Sequence, residues 1–161
     1  MHIATLQEVG EGLLPNLGEL IDALWSKAVQ WVDVVKIGRT HLQDATPLTV
    51  GQEWSGWVTQ LKDARDRLQF ALKAIHELAA GGTAVGTGLN APEGFAEQIA
   101  AQLAQLTGLP LATAPNKFAA QGSLDGMVAV SAGLRGIAVA LMKIANDMRW
   151  LASGPRAGCT S

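Results

Sequence analysis

Cysteine occurs once in this sequence, at Cys159 near the end, which excludes an internal disulfide framework and a paired-cysteine metal site. A reducing compartment fits that usage. Charge is scarce too: Asp, Glu, Lys and Arg make up 16% of the 161 residues, against roughly a quarter in an average soluble domain. With 12 basic and 14 acidic residues the net charge is −2, so a disordered chain and a basic nucleic-acid-binding surface are both excluded. No uninterrupted apolar run reaches the roughly 18–20 residues of a membrane span. The two longest candidates, 127–134 and 136–142, are split by Arg135 and closed by Lys143, and no transmembrane helix is expected. The first eight residues carry no basic segment, no long apolar segment and no small-residue cleavage site, so no targeting peptide is read there and the default location is cytoplasmic. The histidines His2, His41 and His76 include no pair at the i,i+4 spacing of a helical metal site, and no metal is expected.

What is abundant is apolar surface. Hydrophobic residues are 48% of the chain and glycine adds 18 more positions, together above the roughly 45–50% norm. A chain of this size leaves about a third of its surface in water. The excess therefore belongs at interfaces, and an oligomer and an excised fragment are both open readings.

Leu6, Val9, Leu13, Leu17, Leu20, Ile21, Leu24 and Trp25 recur at threes and fours, which predicts a first helix over 3–32, kinked or divided at Pro15. Residues 34–47 lose the period and are punctuated by Gly38 and Pro47, predicting an ordered loop. Thr49 and Gln52 form a capping-box pattern that opens a second helix through Ala79. Its outer face, Lys62, Asp63, Arg65, Asp66 and Arg67, reads as solvated. A shorter helix is expected over 95–107, closed by Gly108 and Pro110, and a last long helix over 123–152, apolar on most of its circumference as a buried helix would be. No alternating strand pair is read, so the class is all-α, a long-helix bundle.

Gly86, Gly88 and Ala91 imitate a dinucleotide fingerprint, but no strand precedes them and no acid follows at 105–111. They read as a loop that turns the chain or lets helices approach closely. His2 and His76 read as surface residues. His41 sits among Arg39, Thr40, Gln43 and Asp44, polar groups dense enough to orient an imidazole. Spacing alone leaves a structural and a catalytic histidine equally open.

The segment Lys36 to Thr49, reading Lys-Ile-Gly-Arg-Thr-His-Leu-Gln-Asp-Ala-Thr-Pro-Leu-Thr, closely resembles the second active-site segment of class II fumarases, in the fumarase/aspartase superfamily. The likeness continues in family order through Gly81 to Asn90, through Ala114-Pro115-Asn116-Lys117-Phe118, and from Leu141 to Arg156. Aspartate ammonia-lyases share the glycine loop and the Ser-Gly-Pro-Arg ending, whereas Ala45-Thr46-Pro47, Asn116-Lys117-Phe118 and Arg149-Trp150 favour the hydratase.

The resemblance implies part of the central helical domain of an all-α fold, in which long helices of a homotetramer pack together and three chains build each active site. It implies reversible hydration of fumarate to (S)-malate, a tricarboxylic acid cycle reaction, without a cofactor. Thr40 would hydrogen-bond a substrate carboxylate, and His41 would serve as acid and base where water adds or leaves. Imidazole suits that task because its ordinary titration falls near neutral pH. Lys36, Arg39, Asn90, Lys117 and Arg149 are treated as structural.

Against the family pattern, Met1 matches an internal position and Gly158-Cys159-Thr160-Ser161 departs from the usual continuation. Residues 1–161 are accordingly expected to be a single partial domain, lacking the first active-site segment and the mobile Gly-Ser-Ser loop, and inactive alone. Two rival readings stand beside this one. One is an aspartase-like or other superfamily lyase; the other is a non-catalytic helical assembly remnant in which Thr40 and His41 are relics.

Overall fold

The computed structural model describes residues 1–153. The Gly154 to Arg156 end of the Ser-Gly-Pro-Arg motif, and Cys159, lie outside the described residues. Helices dominate, as the all-α reading expects, and the chain divides into two compact units.

The first unit joins Met1–Leu13 to Arg67–Gly133. Helix α1 (His2–Gln7) runs into a π-helical turn (Glu8–Leu13), and α2 (Leu14–Gln30) follows in the other unit. The helical run is unbroken from His2 to Gln30, and the disturbance expected at Pro15 appears as the π-helical turn just before it. The end of α3 (Val50–Leu72) lies in this unit, followed by a 3-10 turn (Lys73–Ile75) and the short strand β3 (Glu77–Leu78). Then come α4 (Phe95–Thr107), β4 (Ala112–Thr113), α5 (Lys117–Gly122) and the start of α6 (Asp125–Leu151). Strands β3 and β4 pair in parallel, Glu77 with Ala112 and Leu78 with Thr113. Leu68, Ile75 and Val130 are fully buried in this core.

The glycine loop packs tightly. A Cβ on Gly86, whose φ is +100°, would meet Phe118 Cδ1 at 2.9 Å, and Gln121 Nε2 donates to the Thr83 carbonyl at 3.0 Å. Close approach to α5 accounts for Gly82 and Gly86, and close approach to Ala96 of α4 for Gly81.

The second unit takes Leu14–Asp66 and the chain from Leu134 onward. Trp57, Leu61 and Ile21 are fully buried in it. Trp31 meets Trp54 edge-on at 4.8 Å between ring centroids, and Trp54 lies 5.1 Å from Trp57, contacts worth about 0.5–1.5 kcal/mol each beyond their area. The Trp57 indole N–H is satisfied by Asp147 Oδ2 at 2.9 Å, and Asp147 also accepts from Lys143. The unit's sheet is an antiparallel pair, β1 (Val35–Thr40) and β2 (Gln43–Thr49).

Four sequence expectations need correction. The loop expected over 34–47 is this β1–β2 hairpin, because Gly38 and Pro47 sit inside paired strands instead of ending them. The helix expected to reach Ala79 stops at Leu72, where backbone pairing takes over: Ala112 N donates to His76 O and Ala114 N to Leu78 O. The last helix is not enclosed by the described residues. Its sides turned inward are marked by Val130, Ile137 and Ile144, while Val128, Val139 and Met142 are exposed. Lastly, by length and composition α6 is apolar enough to cross a membrane, and only 17% of its most apolar stretch is buried. Arg135 and Lys143 interrupt the run without lowering its average enough to exclude a span.

Candidate functional site

Thr40 and His41 lie together at the end of the β1–β2 hairpin, and the chain builds that arm from its base upward. At the base, Val50 N donates to Val34 O at 2.8 Å and Gly51 N to Trp31 O at 3.0 Å, so two free N–H groups at the start of α3 hold the chain entering β1. The capping box forms as its residue types require. Thr49 N donates to Gln52 Oε1 at 2.9 Å and Gln52 N to Thr49 Oγ1 at 3.1 Å. One step up, Lys36 Nζ pairs with Glu53 Oε2 at 2.6 Å, both side chains being about three-quarters buried at 22% and 27% exposure.

The ladder then runs Val35 with Thr49, Lys36 with Leu48 and Ile37 with Pro47 before its register shifts at Gly38. Beyond the shift Arg39 pairs with Asp44 and Thr40 with Gln43. Two residues of β2 thus oppose Gly38, a β-bulge that bends the ribbon and re-aims the residues beyond it. Gly38 is needed there by space, since a Cβ would lie 2.7 Å from the Thr46 carbonyl oxygen and 3.0 Å from Leu48 Cδ2.

The tip is a two-residue turn, His41 at φ +52° and Leu42 at φ +61°. Positive φ at both positions is the signature of the type I′ hairpin turn, normally filled by Asn-Gly. A non-glycine residue in this region carries a cost of order 1–3 kcal/mol, and such strain concentrates at functional sites. Leu42 gains no burial in return, being 72% exposed.

Every residue from Arg39 to Pro47 is exposed. The polar neighbours expected to orient the imidazole do not do so. Arg39 Nε instead reaches Asp44 Oδ1 across the ribbon at 3.5 Å, an exposed pair worth at most about 1 kcal/mol. Among the described residues neither the Thr40 hydroxyl nor the His41 ring has a hydrogen-bond partner. Backbone conformation, not side-chain contact, aims them. The arm therefore carries, on two successive exposed residues, a hydroxyl donor and an imidazole with their hydrogen-bonding capacity unspent.

Of the residues treated as structural, Lys36 and Lys117 have side-chain partners within the chain. Lys36 is committed to Glu53. Lys117 bonds Thr113 Oγ1 and the Ala114 carbonyl, tying α5 to β4. Asn90 closes the glycine loop at φ +65°. The Arg149 carbonyl accepts from Ser153 Oγ at 3.1 Å. Sequence reading missed Glu53, whose only signal is an acid one position beyond the capping-box Gln52, and it missed Leu42, a residue type that announces no turn.

The sequence pattern of the family described as Lyase matches residues 1–161. Over 158 residues, 98% of this chain, the sequence is 63% identical to the class II fumarate hydratase of Methanosarcina acetivorans and 58% identical to the mitochondrial fumarate hydratase of Homo sapiens. That stretch is 33% and 31% of those proteins, so the chain spans about a third of the length of the curated relatives it matches. The crystal structure of a class II fumarase from Schistosoma mansoni superposes with a TM-score of 0.93 at 42% identity, over 98% of this chain and 36% of that one.

Proposed function

The chain belongs to the lyase family, and from that premise we propose that the protein is a class II fumarate hydratase, interconverting fumarate and (S)-malate. The observation that carries the reading is the hairpin tip, where Thr40 and His41 stand exposed, unpartnered and held by a strained turn. Likeness over nearly the whole chain to proteins named for that activity supports it.

Hydration of a dicarboxylate double bond places charge on a carbanion-like intermediate that hydrogen-bond donors must hold. It also needs an acid and base at oxygen and a separate base at carbon. Thr40 donates its hydroxyl proton to a substrate carboxylate. His41 gives and takes the proton at the oxygen that becomes the hydroxyl. A single hydroxyl and imidazole cannot also serve the carbon, so the 161-residue chain alone turns over no fumarate, and the site is completed by other segments and other copies.

The apolar face of α6 belongs to the same proposal. Val128, Ala132, Arg135, Val139, Met142 and Asn146 are exposed at alternating steps of four and three, the spacing of helices packed along a common seam. Polar residues within that stripe fit a bundle of helices in a homotetramer better than contact with lipid. A cytoplasmic protein without membrane, nucleic acid or cofactor completes the proposal, with the chain as part of a central helical domain.

The test is His41→Asn in the full-length protein. Turnover should fall by ~10²–10⁴-fold with the fold unchanged, because the ring is exposed and makes no internal hydrogen bond. Undiminished turnover refutes the assigned role. Release of ammonia from aspartate without hydration of fumarate moves the protein to the aspartase side of the superfamily.

A further inference from the structure

We propose that Glu53 is a positioning residue for Thr40 and His41, acting through Lys36 to set the direction in which the β1–β2 arm points. This inference rests on the fumarate hydratase reading. β2 runs directly into α3 through the Thr49–Gln52 capping box, whereas β1 is tied to α3 at two successive points: the backbone bond from Val50 N to Val34 O just before it, and the Lys36–Glu53 ion pair. One tie fixes where a rod begins; a second, displaced along it, fixes its angle. Above Ile37 the bulge opposite Gly38 bends the ribbon, but among the described residues no further side-chain contact fixes its angle to α3, since every side chain from Arg39 to Pro47 is exposed.

Glu53 is suited to act as the anchor. It stands in the first turn of α3, where a carboxylate complements the helix dipole, and that turn is immobilised by the Thr49–Gln52 capping box. Its pairing with Lys36 is largely shielded from water, unlike the Arg39–Asp44 pair further out. Screening by solvent is therefore weak at the base and strong near the tip.

The geometry amplifies small errors. Lys36 and His41 are five residues apart, about 16 Å at the rise of an extended strand. A tilt of about 4° at the ion pair displaces the imidazole by about 1 Å, and a misplacement of that size costs turnover of order 10²-fold. Removing the pair leaves the backbone tie, the capping box and the ladder intact, so the arm persists with its direction loosened.

The experiment compares the full-length protein with Glu53→Gln and with the charge-swapped double variant K36E/E53K, measuring fumarate hydration per folded molecule alongside thermal unfolding. Lys36→Met provides the same loss from the other partner should Glu53→Gln fold poorly. Glu53→Gln should lower kcat by ~10–100-fold, and the swap should recover at least half of that loss on a logarithmic scale. A kcat within twofold of the unsubstituted protein in the folded single variants, with only the unfolding temperature lowered, overturns the inference and leaves the enzyme assignment standing. So does a swap that recovers nothing. Absence of fumarate hydration in the unsubstituted protein overturns the enzyme assignment first, and this inference with it.

Discussion

Gly38→Ala in the full-length protein is the sharpest test of how the tip is aimed. Gly38 is not among the residues with positive φ, so alanine meets no backbone penalty there and the perturbation is steric. The added Cβ would stand 2.7 Å from the Thr46 carbonyl oxygen. Bringing that contact to an ordinary separation requires a backbone retreat of about 0.7 Å, which across strands about 4.8 Å apart is a local tilt of about 8°. His41 lies three residues further on, about 10 Å, so the ring moves by about 1.5 Å. Turnover should fall by ~10²-fold or more. Overpacking costs about 1–3 kcal/mol, offset by about 0.4–1 kcal/mol from a stiffer unfolded chain. The assay is the ultraviolet absorbance of fumarate, with circular dichroism to confirm folding. A folded Gly38→Ala protein with kcat within twofold of the parent would show that the bulge does not aim the site.

Other perturbations read other parts of the structure. Thr49→Ala removes the acceptor for Gln52 N, costing about 1 kcal/mol, and should lower the melting temperature by about 2–4 °C in a thermal scan. Leu42→Gly relieves the positive φ at an exposed position. It should stabilise the folded protein by up to about 1 kcal/mol, read as a higher denaturant midpoint, while a looser tip lowers kcat; lower stability would contradict the strain assigned to the turn. Met142→Glu places a charge on the exposed face of α6. Sedimentation should show loss of assembly, and an unchanged oligomer would remove that face from the interface.

Local signals made much of the fold legible. Gly94 and Gly108, both at positive φ, bound α4 where the sequence placed it, and the Thr49–Gln52 box opens α3 as read. These features depend on neighbours in the chain. The misreadings came where distant partners decide. Residues 73–78 continue a helical pattern, yet leave the helix because β4, more than thirty positions away, takes their carbonyls. The hairpin was concealed because Gly38 and Pro47 usually end structure, whereas here one makes a bulge and the other occupies a strand with one side free. Sequence reading singled out Thr40 and His41, but not the backbone that holds them at the hairpin tip. Neither the positive φ of His41 nor the seventeen-residue reach from Lys36 to Glu53 leaves a mark in composition or period.

The hairpin is two-stranded among the described residues, so each strand has an outer border of backbone groups open to another chain. Such borders invite edge-to-edge pairing and aggregation. The same residues that shape the arm also guard against this. Pro47 offers no N–H to an incoming strand, the bulge opposite Gly38 breaks the flat register that a neighbour would need, and Arg39 and Asp44 place charges along the borders. An arm whose residues from Arg39 to Pro47 are all exposed is thereby made a poor template for unwanted strands.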